Sequence, residues 1–248
     1  IAGASASQSG YTALRTAMQD ARPGVRYTAA LEMGRRLAAA DAGVAVVTGQ
    51  QIEQGLASLV EMLTTEEDIY VVLGVTRGLS LPEGELRPRA LTGICEGLSA
   101  QLQARRRAGA LAAEEVSIFL TTLTSIRDAT LRNAQLLPRQ PEFAQAAAIL
   151  AGQALGATID LVERAGDEGL PQGVSRDDVE ALATSAEVVA SLAHGALRNE
   201  NVEARIQQEV ERALAGRSNN LRAAVDAWIG PNGRLTRQPY ARDASDFR

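Results

Sequence analysis

Hydrophobic positions along the chain recur with the period of an α-helix. Ile52, Leu56, Leu59, Val60 and Leu63 fall on one face, with polar residues opposite. Val179, Leu182, Ala186, Val189, Ala193 and Leu197 make a second such face. Val202, Ile206, Val210 and Ala213 make a third, with Arg205, Gln208, Glu211 and Arg212 turned to water. Leu221, Val225 and Trp228 mark a last short helix. No window alternates apolar and polar residues between hairpin turns, so the expected fold class is all-α.

Breakers and caps divide this pattern. Arg22-Pro23-Gly24 separates a helix at about Tyr11–Ala21 from one at about Val25–Ala40. Thr65 reads as the N-cap of a helix carrying Glu66, Glu67 and Asp68 in its first turn and ending near Leu79. Pro88 fits the first turn of the next helix, which runs to Arg105-Arg106-Arg107. A long pattern from Ala113 stops before Pro138, with Thr121–Ser125 as the place where β-branched residues would break it. Pro141 opens a helix to about Ala165, Gly166–Gly173 reads as a linker, and Ser175-Arg176-Asp177-Asp178 is a capping box. Gly230–Gly233 ends the helical body. The expected organisation is a flexible segment over 1–10, a helical array over 11–165, a linker over 166–174, a C-terminal helical part over 175–233 and an extended tail over 234–248.

Part of the pattern repeats. Val25–Leu37 follows a Pro-containing turn and carries Ala29-Ala30, Gly34 and Leu37. Ile69–Gly78 repeats its initial hydrophobe and late glycine 44 residues on, and Phe143–Leu155 repeats Ala147-Ala148, Gly152 and Leu155. This spacing resembles that of two-helix HEAT or armadillo units. The resemblance implies a right-handed stack of antiparallel helix pairs, an α-solenoid of about ten helices, whose small residues let the inner helices pack closely. It covers Tyr11–Leu79 and, in one helix, Phe143–Leu155. The Asp-x-x-x-Arg arrangement of such repeats is weak here: Asp20 precedes Arg22 and Arg26, and the later copies lack the arginine.

Composition narrows the chemistry. Of 248 residues, 46% are hydrophobic, only 3% are aromatic and roughly a sixth are alanine. Lysine is absent, so all 25 basic residues are arginine, set against 30 acids for a net charge of −5. A lysine-free chain has no Walker-type phosphate lysine and no Schiff-base lysine. One histidine, His194, excludes a multi-histidine metal centre, and it lacks the Glu-x-x-His spacing of a di-iron bundle. Gly152-Gln153-Ala154-Leu155-Gly156 lies inside a helical pattern, so it is not a dinucleotide loop. Cys95 is the sole cysteine, so no intrachain disulfide forms, and it reads as a small buried hydrophobe. The carboxylate pair Asp160 and Glu163 reads as a solvated helix face. The continuous apolar runs, Gly43–Val47 and Ile69–Val75, are too short to span a bilayer, and no transmembrane segment is expected. The opening Ile1-Ala2-Gly3-Ala4-Ser5 fits a processed, extracytoplasmic N-terminus as well as a truncated start, leaving localisation open.

No catalytic, cofactor-binding or metal-ligating set emerges, and the expected function is a non-catalytic scaffold or subunit of an assembly. Its partner would be another protein or a second copy. The candidate partner-binding residues are Arg105, Arg106 and Arg107, with Arg237, Pro239, Tyr240 and Phe247 as anchor-type residues of an extended tail. One alternative is a small-molecule-binding or enzymatic helical domain with a pocket near His194 and Cys95. A further alternative gathers Arg22, Arg26, Arg35, Arg36, the Arg105–Arg107 cluster and the tail arginines Arg234, Arg237, Arg242 and Arg248 into a nucleic-acid-binding stripe. The acidic total and the scarcity of aromatics count against it.

Overall fold

The computed structural model describes residues 8–45, 47–109, 111–200, 202, 205–217 and 220–247. Most of the flexible segment expected over 1–10, and Arg248, lie outside these. Among the described residues the chain is all-helical, with no strand: α1 (Gln8–Ala17), α2 (Pro23–Asp41), α3 (Gly49–Thr65), α4 (Ile69–Leu79), α5 (Arg87–Ala108), α6 (Ala113–Arg132), α7 (Pro141–Asp167), α8 (Arg176–Arg198), α9 (Ile206–Leu214) and α10 (Leu221–Ile229). Three 3₁₀ turns, at Leu137–Arg139, Arg234–Thr236 and Ala244–Phe247, complete it. The chain divides into two compact units, Ile1–Leu98 and Ser99–Arg248, and the division falls within α5.

Local chemistry explains five of the helix starts. Pro23 and Pro141 occupy first-turn positions of α2 and α7, where a missing N–H costs nothing. Thr48 with Gln51, and Ser175 with Asp178, form reciprocal capping boxes at α3 and α8. The cap of α4 is Asp68 rather than Thr65. Its Oδ1 accepts from the Tyr70 and Val71 amides at 2.9 and 3.2 Å, whereas Thr65 closes α3. Glu66 turns instead to Arg26, accepting from its Nε at 2.8 Å and its Nη2 at 2.7 Å. The pattern after Ala113 is not broken at Thr121–Ser125. Thr122 and Ser125 donate back to the Ile118 and Thr121 carbonyls, which absorbs their polarity within the turn.

In the first unit, α2 and α4 meet through backbone. A β-carbon on Gly34 would lie 2.3 Å from the Gly78 carbonyl oxygen and 2.4 Å from its Cα, and one on Gly78 would lie 2.7 Å from the Ala30 oxygen. Along this contact the paired numbers rise together. Arg26 meets Glu66, the Tyr27 hydroxyl accepts from Arg77, and Asp41 accepts from the Gly84 and Leu86 amides. The two helices therefore run in the same direction, with α3 as the return between them. Met33, Leu37, Leu59, Leu63, Val72 and Val75 fill the core around the contact.

The second unit is built on α7, whose Ala- and Leu-rich surface is buried on nearly every side from Phe143 to Val162. Its apolar stretch is long enough to cross a bilayer by length and composition, but 78% of it is buried inside the fold, as in a core helix. The helix α8 packs along α7, and α6, α9 and α10 close around the pair. The Gly166–Gly173 stretch is the turn between two neighbours in this unit. The helix α9 begins at Ile206, later than the pattern from Val202 suggests. A carboxylate on another helix sets its start: Glu187 of α8 accepts from the amides of Arg205 at 2.6 Å and Ile206 at 2.9 Å.

The Gly34–Gly78 contact sets a test. Gly34→Ala should cost about 1–3 kcal/mol in urea titration, because its new methyl meets backbone that cannot turn aside. Gly24→Ala, at a helical glycine with open space around it, should be neutral or stabilising by up to about 1 kcal/mol.

Candidate functional site

Of the residues singled out in the sequence, Arg106, His194, Tyr240 and Phe247 gather around the segment that follows α10 in the second unit. After α10, the segment 234–247 does not extend as a free tail but folds back as a strap. Leu235, Tyr240 and Phe247 are all buried. The seat is made by two glycines of α7. A β-carbon on Gly152 would lie 2.6 Å from both Leu235 and Phe247, and one on Gly156 would lie 2.3 Å from the Phe247 carbonyl oxygen. Side chains of the unit then hold the strap by its backbone. Gln103 and Gln153 both donate to the Asp246 carbonyl, at 2.9 and 2.6 Å. Arg106 donates to the Phe247 carbonyl at 2.8 Å, and Gln145 to that of Pro239 at 3.1 Å. In a chain this poor in aromatics, three large apolar side chains within 234–247 are the signal that marks the strap as core.

This arrangement redistributes the expected partner-binding residues. Arg105 pairs with Glu115 and donates to the Gln101 side chain at 3.0 Å. Arg106, its side chain 6% exposed, pairs with Asp160 at 2.7 Å as well as holding the strap. Tyr240 and Phe247 spend their apolar surface on the chain's own core, and Pro239, after a cis peptide bond, is half-buried. Arg107 and Arg237 remain exposed. Of the arginines proposed for a nucleic-acid stripe, Arg22, Arg26 and Arg35 pair with Asp20, Glu66 and Glu32, and Arg36 lies 5.5 Å over the Tyr11 ring.

His194 sits at the junction of α8 and the strap, 4% exposed. Its Nδ1 lies 3.2 Å from the Tyr240 hydroxyl and its Nε2 3.3 Å from Glu200. Trp228 meets the ring edge-on, with centroids 5.8 Å apart. Carboxylate, imidazole and hydroxyl in a row are the parts of a nucleophile relay, but the chemistry runs the other way. Burial raises the Tyr240 pKa, which opposes ionisation, and its side chain lies inside the fold. Burial also lowers the His194 pKa; Glu200 opposes that, while Arg234 and Arg198 add to it. The row ties strap to helix. Cys95, in the first unit, is fully buried, and burial raises its thiol pKa, so it is held as a thiol. Among the described residues no group of three or more His, Cys, Asp or Glu side chains is arranged to hold a metal ion.

A cavity of about 520 Å³ opens beside Trp228, between α9, α10 and the first residues of the strap. Comparison of the chain with protein-family models, curated proteins and solved structures finds no match in any of the three.

Two outcomes test this site. Because the folded state resists protonating His194, stability of the second unit should be complete above the ordinary pKa of 6.5 and fall as pH drops below it. Thermal melts followed by Trp228 fluorescence should show this loss, and His194→Gln should flatten it. Phe247→Ala should remove about 3–5 kcal/mol and speed tryptic cleavage after the exposed Arg237 and Arg242.

Proposed function

We propose that the chain is a non-catalytic interaction module whose first unit is two stacked helix pairs of HEAT-like type, α1 with α2 and α3 with α4, working as a scaffold or subunit of a larger protein assembly. The observation that carries this reading is the contact of α2 with α4 at Gly34 and Gly78. These are the glycines that the 44-residue repeat puts in equivalent places. Same-direction inner helices with a return helix between them are the unit from which solenoids are stacked, and such stacks offer a continuous surface to partners. The exposed apolar residues of this unit fit that use. Val44, 81% exposed, and Leu81, 39% exposed, follow the C-terminal ends of α2 and α4, at the end where Asp41 holds the Gly84–Leu86 loop. Partner contact through this end and through Arg107 and Arg237 replaces contact through the tail's aromatic residues.

The test is co-purification from the native source with the full chain as bait. A specific protein should be retained by the wild type and lost with the double substitution Val44→Asp, Leu81→Asp, the melting temperature staying the same. Recovery of no protein, or of an unchanged set by the double variant, ends this reading. A lysine-free bait calls for a photoreactive or carboxylate-directed cross-linker in such work.

A further inference from the structure

The cavity beside Trp228 is of the size that holds small ligands, and its walls divide by chemistry. Ile206 from α9 and Ala223, Ala227 and Trp228 from α10 make it largely apolar. Its two carboxylates are already engaged. Glu187 accepts from the amides of Arg205 and Ile206, and Glu209 accepts from Arg212 at 2.8 Å and from the Asn220 amide at 2.9 Å. Arg234 is different. Its guanidinium lies 5.0 Å over the Trp228 ring and donates from Nη1 to the Ala227 carbonyl at 3.3 Å, and it forms no ion pair with any described residue. The cavity thus joins an apolar wall to a cation with donors to spare. The first turn of α10 borders the same space, but Glu209 already meets the Asn220 amide there, so the charge offered to a ligand is that of Arg234.

We propose that this cavity binds a small carboxylate with an apolar body, the carboxylate against Arg234 and the body along Trp228 and the alanine face of α10. A planar guanidinium recognises a carboxylate by paired, charge-assisted hydrogen bonds, and the indole beneath keeps it pre-oriented and partly dehydrated. Neither half suffices alone. A bare inorganic anion leaves the apolar wall wet, and an uncharged amphiphile leaves the arginine unpaired. Every described residue lining the cavity belongs to the second unit, so the proposal does not rest on the scaffold reading.

The experiment uses sodium octanoate as probe on the full chain, read by calorimetry and by the emission of Trp228, the chain's one tryptophan. Octanoate should bind saturably, with octanol and inorganic phosphate at least tenfold weaker. Arg234→Gln should weaken octanoate at least tenfold, and Ala227→Leu, which fills the cavity from an exposed helix position, should do the same with an unchanged melting temperature. Absence of saturation, equal binding of octanol or of phosphate, or undiminished binding by a folded Arg234→Gln would each overturn the proposal. If Arg234→Gln does not fold, undiminished binding by Ala227→Leu does so alone.

Discussion

Two helices can bring their backbones together only where no β-carbon stands between them, and both units of this chain depend on that constraint. In the first unit Gly34 and Gly78 let the backbones of α2 and α4 meet with no β-carbon between them. In the second, Gly152 and Gly156 open a trough along α7 into which the strap is pressed. A high alanine content has the same effect in weaker form. It narrows the spacing between helices and replaces the bulk that aromatic residues supply elsewhere, so that a chain with only 3% aromatics still closes a core. The cost is intolerance: where the facing atom is a carbonyl oxygen rather than a side-chain end, the neighbour has no rotamer to retreat into.

The second unit adds polar devices to this packing. The helix α7 has little polar surface of its own, yet the strap laid on it carries backbone carbonyls that must be satisfied away from water. Gln103, Gln145, Gln153 and Arg106 supply those donors. His194 fastens Tyr240 from the α8 side. Glu187 closes the amides at the head of α9, a role that a residue just before the helix usually fills. Each device links elements distant in sequence. Each is a charged, amide or imidazole side chain that is at least partly buried.

Much of the helical pattern was legible because its signals are local. Pro23, Pro141 and the Ser175–Asp178 box act on residues within one turn. Thr65 and Asp68 show the limit. Both are good capping residues beside the same acidic run, but the Thr65 hydroxyl donates back to the Glu61 carbonyl within α3, while Asp68 accepts from the Tyr70 and Val71 amides. The partners of His194 were out of reach for the same reason. No helical neighbour four residues away was suitable, and the groups that hold it come from beyond the end of α8 and from 46 residues downstream. The strap reads as an extended tail because polar and charged residues surround Leu235, Tyr240 and Phe247, and the groups that hold it lie on α5, α7 and α8, far back in the chain.

The strap also fixes an order of events during synthesis. Gln103 and Arg106 bond to carbonyls 143 and 141 residues later in the chain. The trough on α7, with its two glycines and unfilled donors, stays open until Phe247 has cleared the exit tunnel. Over that interval the nascent chain carries an exposed apolar groove. The second unit is therefore most open to aggregation or to a chaperone's grip between the emergence of α7 and that of Phe247.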